Sequence, residues 1–348
     1  MDHIGMDVGK RESQIAILTA DGELSEMRIR TERERLARSL GERPKAKILI
    51  EASTESEWVA RCLESFGHEV IVADPNYAPM YAERSRRVKT DRRDARALAH
   101  ACRAGTYRCA HRTSDGRRHM RRVLAVREAL VRARAGWISR IQPLLRREGI
   151  RVRSGNAETF VKRVEELALP NPLRTAIAPL LTLFGPVNDQ IAALDEQLAG
   201  IVVTDDVTRR LTTVPGVGPV TAVAFVSTLD DATRFRGAHQ VESYLGLVPC
   251  EWSSSEIQRR GPITKAGNGR MRWLLVQAAW CILRRKKRAE SVVLREWADG
   301  VALRRGRRVA VVALARRLAG ILYAIWRDGT IYDTARLRSG LSVKRAAA

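Results

Sequence analysis

Four acids set the chemical question. The stretch "VKTDRRDARALA", residues 88–99, places Asp91 and Asp94 three apart among Lys89, Arg92, Arg93 and Arg96. On a helix, residues at i and i+3 share a face, so the two carboxylates would act together. Asp7 follows the apolar run "IGM", and Glu51 ends "KILI". Each reads as a strand end, the place where α/β sheets build sites. Two acids from strands and two from a helix can converge on one or two divalent cations. Mg²⁺, with Mn²⁺ as its substitute, is held by few carboxylates and completes its shell with phosphate oxygens. A pair of such ions stabilises the attacking and leaving oxygens of phosphoryl transfer. Taken singly, each acid has a plainer reading as a turn or cap residue, with Asp91 capping the helix that Asp94 opens.

Two further stretches carry chemistry. In "YLGLVPCEWSSSEIQRRGPITKAGNGRMRWLL", residues 244–275, Ser253, Ser254 and Ser255 precede Arg259, Arg260, Lys265, Arg270 and Arg272. A serine attacks a phosphodiester when a base or metal activates it and cations hold the phosphate. The plainer reading is a polar loop. "VPGVGPVTA", residues 214–222, has the helix-hairpin-helix form. Gly216 and Gly218 let the turn backbone approach a phosphate, and the helix opening near Pro219 offers free N–H groups. Such a contact reads nucleic-acid backbone, not base sequence. Its plainer counterpart is a glycine turn between packed helices.

The charge points to the same kind of partner. The chain has 348 residues, a formal net charge of +23 and 45% apolar residues, so a packed core is expected together with a polyanion, most often nucleic acid. Residues 84–153 alone hold 22 Arg and Lys against 5 Asp and Glu, nearly all of the positive charge being arginine. Arginine forks onto phosphate in a bidentate way. Five scattered cysteines form no CxxC pair and no zinc spacing, which fits a reducing cytosol. With no apolar leader and no run of membrane-span length, the expectation is a soluble intracellular protein without a membrane partner.

The elements that must position these residues follow from periodicity. Residues 1–75 read as three strands, with a hairpin turn at Asp21–Gly22, then helix, strand to Glu51, helix and a fifth strand. Three antiparallel strands followed by β-α-β units is the order of the RNase H-like fold. Residues 117–150 form a long helical pattern with seam columns Val123, Leu130, Trp137, Leu144 and Leu124, Val131, Ile138, Leu145. A second heptad set runs Ile177, Phe184, Ile191, Leu198 beside Leu180, Val187, Leu194, Ile201. Pro179 and Gly185–Pro186 predict a kink or two shorter helices there. The seams would pack on each other or on a partner chain. The expected division is an α/β domain over 1–110, a coiled-coil or helical linker over 111–206, a mostly helical domain over 207–333 and a basic tail over 334–348.

Together these residues resemble the DEDD transposases of bacterial insertion sequences, the group that includes the Piv-type DNA invertases. "GMDVGK", "IEAS" and "KTDRRDARALA" resemble the family's RuvC-like RNase H domain. The segment from "VPGVGPVTAVAFVSTL" to "GNGRMRWLL" resembles its C-terminal transposase domain, and "VVALARRLAGILYAIWRDGTIYD" its closing helix. The resemblance implies a Mg²⁺-binding site of Asp7, Glu51, Asp91 and Asp94, and a serine nucleophile that links covalently to DNA. It further implies strand exchange between donor and target DNA through a Holliday-like junction, and a bridge RNA that pairs with both. A dimer or tetramer whose protomers complete the site, in the cytoplasm of a bacterium at its nucleoid, is also implied. The family's serine stands five residues after the proline of "GLxP", which here is Ser254, with Ser253 and Ser255 beside it. Ser255 replaces the usual following glycine, and Cys250 stands where the family often has a basic residue. The other readings of the same residues are a metal-dependent junction nuclease that uses water, and a decayed copy that only binds nucleic acid.

Overall fold

The computed structural model describes residues 1–81, 90–254, 257–285 and 289–335, the side chains of 253–254 and 257–260 excepted. The chain divides into two compact units, Met1–Thr113 and Ser114–Ala348.

The first unit is a mixed five-stranded sheet with helices. Strand β1 (His3–Val8) pairs antiparallel with β2 (Glu12–Leu18), which pairs antiparallel with β3 (Leu24–Arg30). Gly22, at φ +94°, closes the second hairpin at the expected "DG" turn. A short helix α1 (Arg33–Leu36), continued by a wider turn to Gly41, leads to β4 (Lys47–Glu51), which lies parallel to β1. Helix α2 (Ser56–Ser65) then crosses to β5 (Glu69–Ala73), parallel to β4, and helix α3 (Asp91–Ala104) completes the unit. The strand order is β3-β2-β1-β4-β5.

Apolar residues alternate between the two sheet faces, as the pleat requires. Ile4, Met6, Ile15, Ile17, Ile48 and Ile50 pack against Leu36, Val59 and Leu63 of α1 and α2. The opposite face carries Ala16, Leu18 and Leu49 against Ala95, Leu98, Ala99 and Cys102 of α3. β1 is covered on both faces, so its residues read as one apolar run.

The second unit opens with α4 (Asp115–Arg147), followed by α5 (Phe160–Glu165), α6 (Asn171–Leu181) and α7 (Phe184–Thr204). The break between α6 and α7 lies where proline and glycine predict it. The heptad seams pack on each other within the chain. Val123 and Leu124 meet Leu194, Leu198 and Ile201, while Ile138, Ile141 and Leu145 meet Ile177, Leu180 and Phe184. Polar pairs repeat the antiparallel register: Arg117–Asp205 at 2.7 Å, Arg127–Asp195 at 3.0 Å and Arg134–Asn188 at 2.8 Å. One expected seam residue turns away: Leu144 is exposed and Ile141 is buried instead. Ile141 lies about five full turns after Val123, so a straight helix returns there and not to a strict heptad position.

The rest of the unit comprises α8 (Asp206–Leu211), α9 (Pro219–Leu229), α10 (Ala238–Tyr244), a β-hairpin of β6 (Pro249–Ser254) and β7 (Ile257–Ile263), then α11 (Gly269–Arg284), α12 (Val292–Arg305) and α13 (Arg307–Asp328). The hairpin has no counterpart in the sequence reading, which expected helices and loops. The core of this part of the unit joins α9, α11 and α13, with Phe225, Leu275, Leu318 and Tyr323 fully buried. Two segments, Asn171–Thr204 and Arg307–Asp328, do reach the length and hydropathy of a membrane span, contrary to the expectation that none would. The first is the α6–α7 pair, broken at Thr182–Leu183. The second, α13, turns Val311, Leu314, Leu318 and Leu322 into the core of this unit.

Candidate active site

The sheet register fixes two of the acids. β1 and β4 are parallel, with partners running from His3–Lys47 to Met6–Ile50. Asp7 and Glu51 are the next residue on each strand, at the carboxyl ends of neighbouring strands. By alternation they share the face of Gly5 and Leu49, which is the face that α3 covers.

Gly5 brings the helix to them. A β-carbon at Gly5 would collide with the carbonyl oxygen of Ala95 and the amide nitrogen of Ala99. Further along α3, the Cys102 thiol lies 3.4 Å from the carbonyl oxygen of Lys47, the partner of His3. Residue 102 is therefore level with His3, and residues 95–99 with Gly5. The helix runs antiparallel to β1 and delivers its first turn to the Asp7 end. Asp94, only 3% exposed, sits in that turn.

A residue that the sequence reading missed touches one of these acids. A 3₁₀ turn, Ala78–Tyr81, places the Tyr81 hydroxyl against Glu51, donating a hydrogen bond to its Oε2. Burial, then the hydrogen bond and charge of Glu51, then the charges of Asp94 and Asp7, hold the phenol far above its usual range. Asp91 is exposed at the first residue of α3, and the cap is Thr90, whose side chain accepts from the Arg93 amide at 3.3 Å. The plainer reading of Asp91 as the cap is corrected accordingly.

Among the described residues, no three Asp, Glu, His or Cys side chains close into a cage able to hold a metal by themselves. The donors are nonetheless all hard oxygens, and they fit a divalent cation that keeps waters and shares its shell with phosphate.

The basic surround is partly spoken for. Arg92 and Arg96 both pair with Glu26 of β3, and the second Arg96–Glu26 contact is 2.9 Å. Hydrogen bonding from Arg96, then from Arg92 against the opposing effect of burial, holds the Glu26 carboxyl below its usual range. Arg93 is exposed, and Lys89 lies outside the described residues.

In the second unit the serine stretch forms the end of the β6–β7 hairpin. Backbone partners are Trp252–Arg259, Ser253–Gln258 and Ser254–Ile257, so Ser254 belongs to the closing pair. Ser255 lies outside the described residues, as do the side chains of Ser253, Ser254, Arg259 and Arg260. Trp252 lies across Gly261, where a β-carbon would meet its ring.

The hairpin's base is locked by two glycines. Gly246, at φ +67°, abuts the Ala266 backbone, and Gly267, at φ +69°, abuts the Tyr244 carbonyl. Arg272 donates to the carbonyl oxygens of Leu245, at 3.0 Å, and Ala266. Arg270 pairs with Glu128 at 3.2 Å and lies over the Trp273 ring. Lys265 is exposed, with a left-handed φ of +56°. Gly216 is required by packing, since a β-carbon there would stand 2.6 Å from the Ala278 carbonyl oxygen. Gly218, before the first residue of α9, faces open space.

Comparison with known proteins gives these pieces a common setting. A DEDD transposase family of the IS110 type matches residues 4–149, and the transposase IS116/IS110/IS902 family matches residues 208–293. A probable family 20 transposase of Pseudomonas aeruginosa is 32% identical over 83% of this chain and 86% of its own length. The chain belongs to the IS110 family of insertion-sequence transposases. Like other IS110 transposases, it is an enzyme that cleaves and rejoins DNA. The transposase for insertion sequence element IS1328 of Yersinia enterocolitica is 29% identical over 95% of this chain and 98% of its own length. A putative transposase of Sinorhizobium fredii is 29% identical over 95% and 86% respectively. The DEDD type of IS110 transposase goes with a divalent metal in general, in keeping with the acids on the sheet.

Proposed function

We propose that this IS110 transposase is a site-specific recombinase in which Asp7, Glu51, Asp91 and Asp94 hold Mg²⁺, or Mn²⁺ in its place, and Ser254 is the nucleophile. The observation that carries the metal half is the register that sets Asp7 and Glu51 at the carboxyl ends of neighbouring parallel strands, on the face to which α3 brings Asp94. The strand order β3-β2-β1-β4-β5, antiparallel then parallel, supports an RNase H-like, RuvC-like domain. A helix, a glycine turn and a helix over Asp206–Leu229 support the helix-hairpin-helix reading, with Gly218 rather than Gly216 as the phosphate-facing glycine.

A bound divalent ion would supply electrostatic stabilisation of the charge that develops on the phosphate oxygens. The serine forms a new Oγ–phosphorus bond while one P–O bond of the DNA breaks, and the departing deoxyribose oxygen leaves as a hydroxyl. Because the new link is itself a phosphodiester, a hydroxyl from another strand can reverse the step and rejoin DNA. Donor and target DNA are the substrates, a bridge RNA pairs with both, and a dimer or tetramer acts in the bacterial cytoplasm, at the nucleoid. The net charge of +23 supports nucleic acid as the principal partner.

The test is Ser254→Ala, assayed for recombination between element ends and a target plasmid, with denaturing gels to trap protein–DNA adducts. The expected result is loss of both product and adduct. Undiminished recombination overturns the nucleophile assignment. Cleavage by the wild-type chain without an adduct would favour a nuclease that uses water. DNA binding without cleavage, unaffected by Asp7→Ala, would favour a copy that only binds.

A further inference from the structure

Among the described residues, the Tyr81 hydroxyl donates to Glu51, one of the candidate ligands. A phenol hydroxyl has a single proton to give. Tyr81 gives it to Glu51, at the end of β4. The ring is anchored from below: Tyr81 and Met80 pack with Leu49, Ala73 and Leu98 between the sheet and α3. A surface tyrosine would be free to swing away, but this one is held beside Glu51 by its own turn.

We propose that Tyr81 is a positioning residue of the metal site, whose hydroxyl stands in for the cation at Glu51 and is displaced when the ion binds. This rests on the reading of Asp7, Glu51 and Asp94 as metal ligands. The oxygen that accepts from Tyr81 is one the ion would use, so the hydrogen bond and the ion compete for it. The hydroxyl therefore stabilises the metal-free site and weakens cation binding, whereas a purely structural tyrosine would do neither.

The experiment compares the full-length wild type with Tyr81→Phe, which keeps the ring and its packing. Mn²⁺ binding is followed by calorimetry, and thermal unfolding with and without Mn²⁺ by circular dichroism. Tyr107→Phe, which removes a hydroxyl from the same apolar cluster away from the acids, is the control. Tyr81→Phe should melt lower without metal, bind Mn²⁺ about tenfold more tightly, and gain more in melting temperature on adding Mn²⁺. Tyr107→Phe should leave the Mn²⁺ affinity unchanged. Equal or weaker Mn²⁺ binding by Tyr81→Phe overturns the stand-in role while leaving the metal site intact. Absence of any Mn²⁺ response in the wild type, with Asp94→Asn no different, overturns the metal site and this role together.

Discussion

Gly5 and Ala95 meet backbone to backbone: the Ala95 carbonyl of α3 occupies the space where a β-carbon on Gly5 would stand. That contact sets how far the first turn of α3 lies from the end of β1, and so where Asp94 sits relative to Asp7. Gly5→Ala should push α3 outward. Overpacking of this kind costs about 1–3 kcal/mol, visible as a lower urea midpoint with an unchanged slope. Recombination should fall further than stability does, because the shift moves an acid of the candidate site. Activity that tracks the folded fraction alone would show that the distance between Asp7 and Asp94 is not critical.

The Glu26 pair gives a pH dependence with a definite sign. Its carboxyl is held below the ordinary glutamate value of 4.5 in the folded chain, first by the Arg96 hydrogen bond and then by Arg92 against the opposing effect of burial. A depressed folded value means that the charged form is favoured by folding. The stability it contributes is present above 4.5 and is lost as the pH falls toward the lower folded value. Glu26→Gln should therefore lower the melting temperature at neutral pH, and the gap to wild type should narrow as the pH falls below the ordinary glutamate range. A gap that stays constant down to strong acid would mean that the pairing with Arg92 and Arg96 contributes nothing through charge.

What could be read from the sequence follows from how local each signal is. The strand ends at Asp7 and Glu51 were legible because an apolar run stops at each of them. The α6–α7 seam was legible because Ile177, Phe184, Ile191 and Leu198 repeat every seven residues, and all four are buried. Leu144 misled because a seven-residue repeat on a straight helix drifts around its surface. The β6–β7 hairpin was hidden by its composition: Pro249, a run of serines and Gly261–Pro262 blur the alternation that marks strands, and pairing alone makes it a sheet. Arg92 and Arg96 read as phosphate ligands from their neighbours, yet their partner Glu26 lies 66 and 70 residues away. Tyr81 carried no local signal, since its significance depends on a 30-residue separation from Glu51.

Arg272 separates a structural arginine from a nucleic-acid ligand. Its position in a basic stretch suggests phosphate contact, but its guanidinium is spent on the carbonyl oxygens of Leu245 and Ala266, where Gly246 and Gly267 interlock. Removing it takes the donor from the carbonyl of buried Leu245, at a cost of about 1–3 kcal/mol. Arg272→Ala should thus melt at a lower temperature. Below that transition, the slope of log affinity for DNA against log salt should match wild type. A phosphate-contacting cation behaves in the opposite way: its loss reduces the slope by about one while stability barely changes. Exposed Lys265, one residue before Ala266, supplies the comparison. Lys265→Ala should lower the salt slope if it faces DNA, with a smaller effect on melting than Arg272→Ala. A reduced salt slope for Arg272→Ala with unchanged melting would return Arg272 to the nucleic-acid surface.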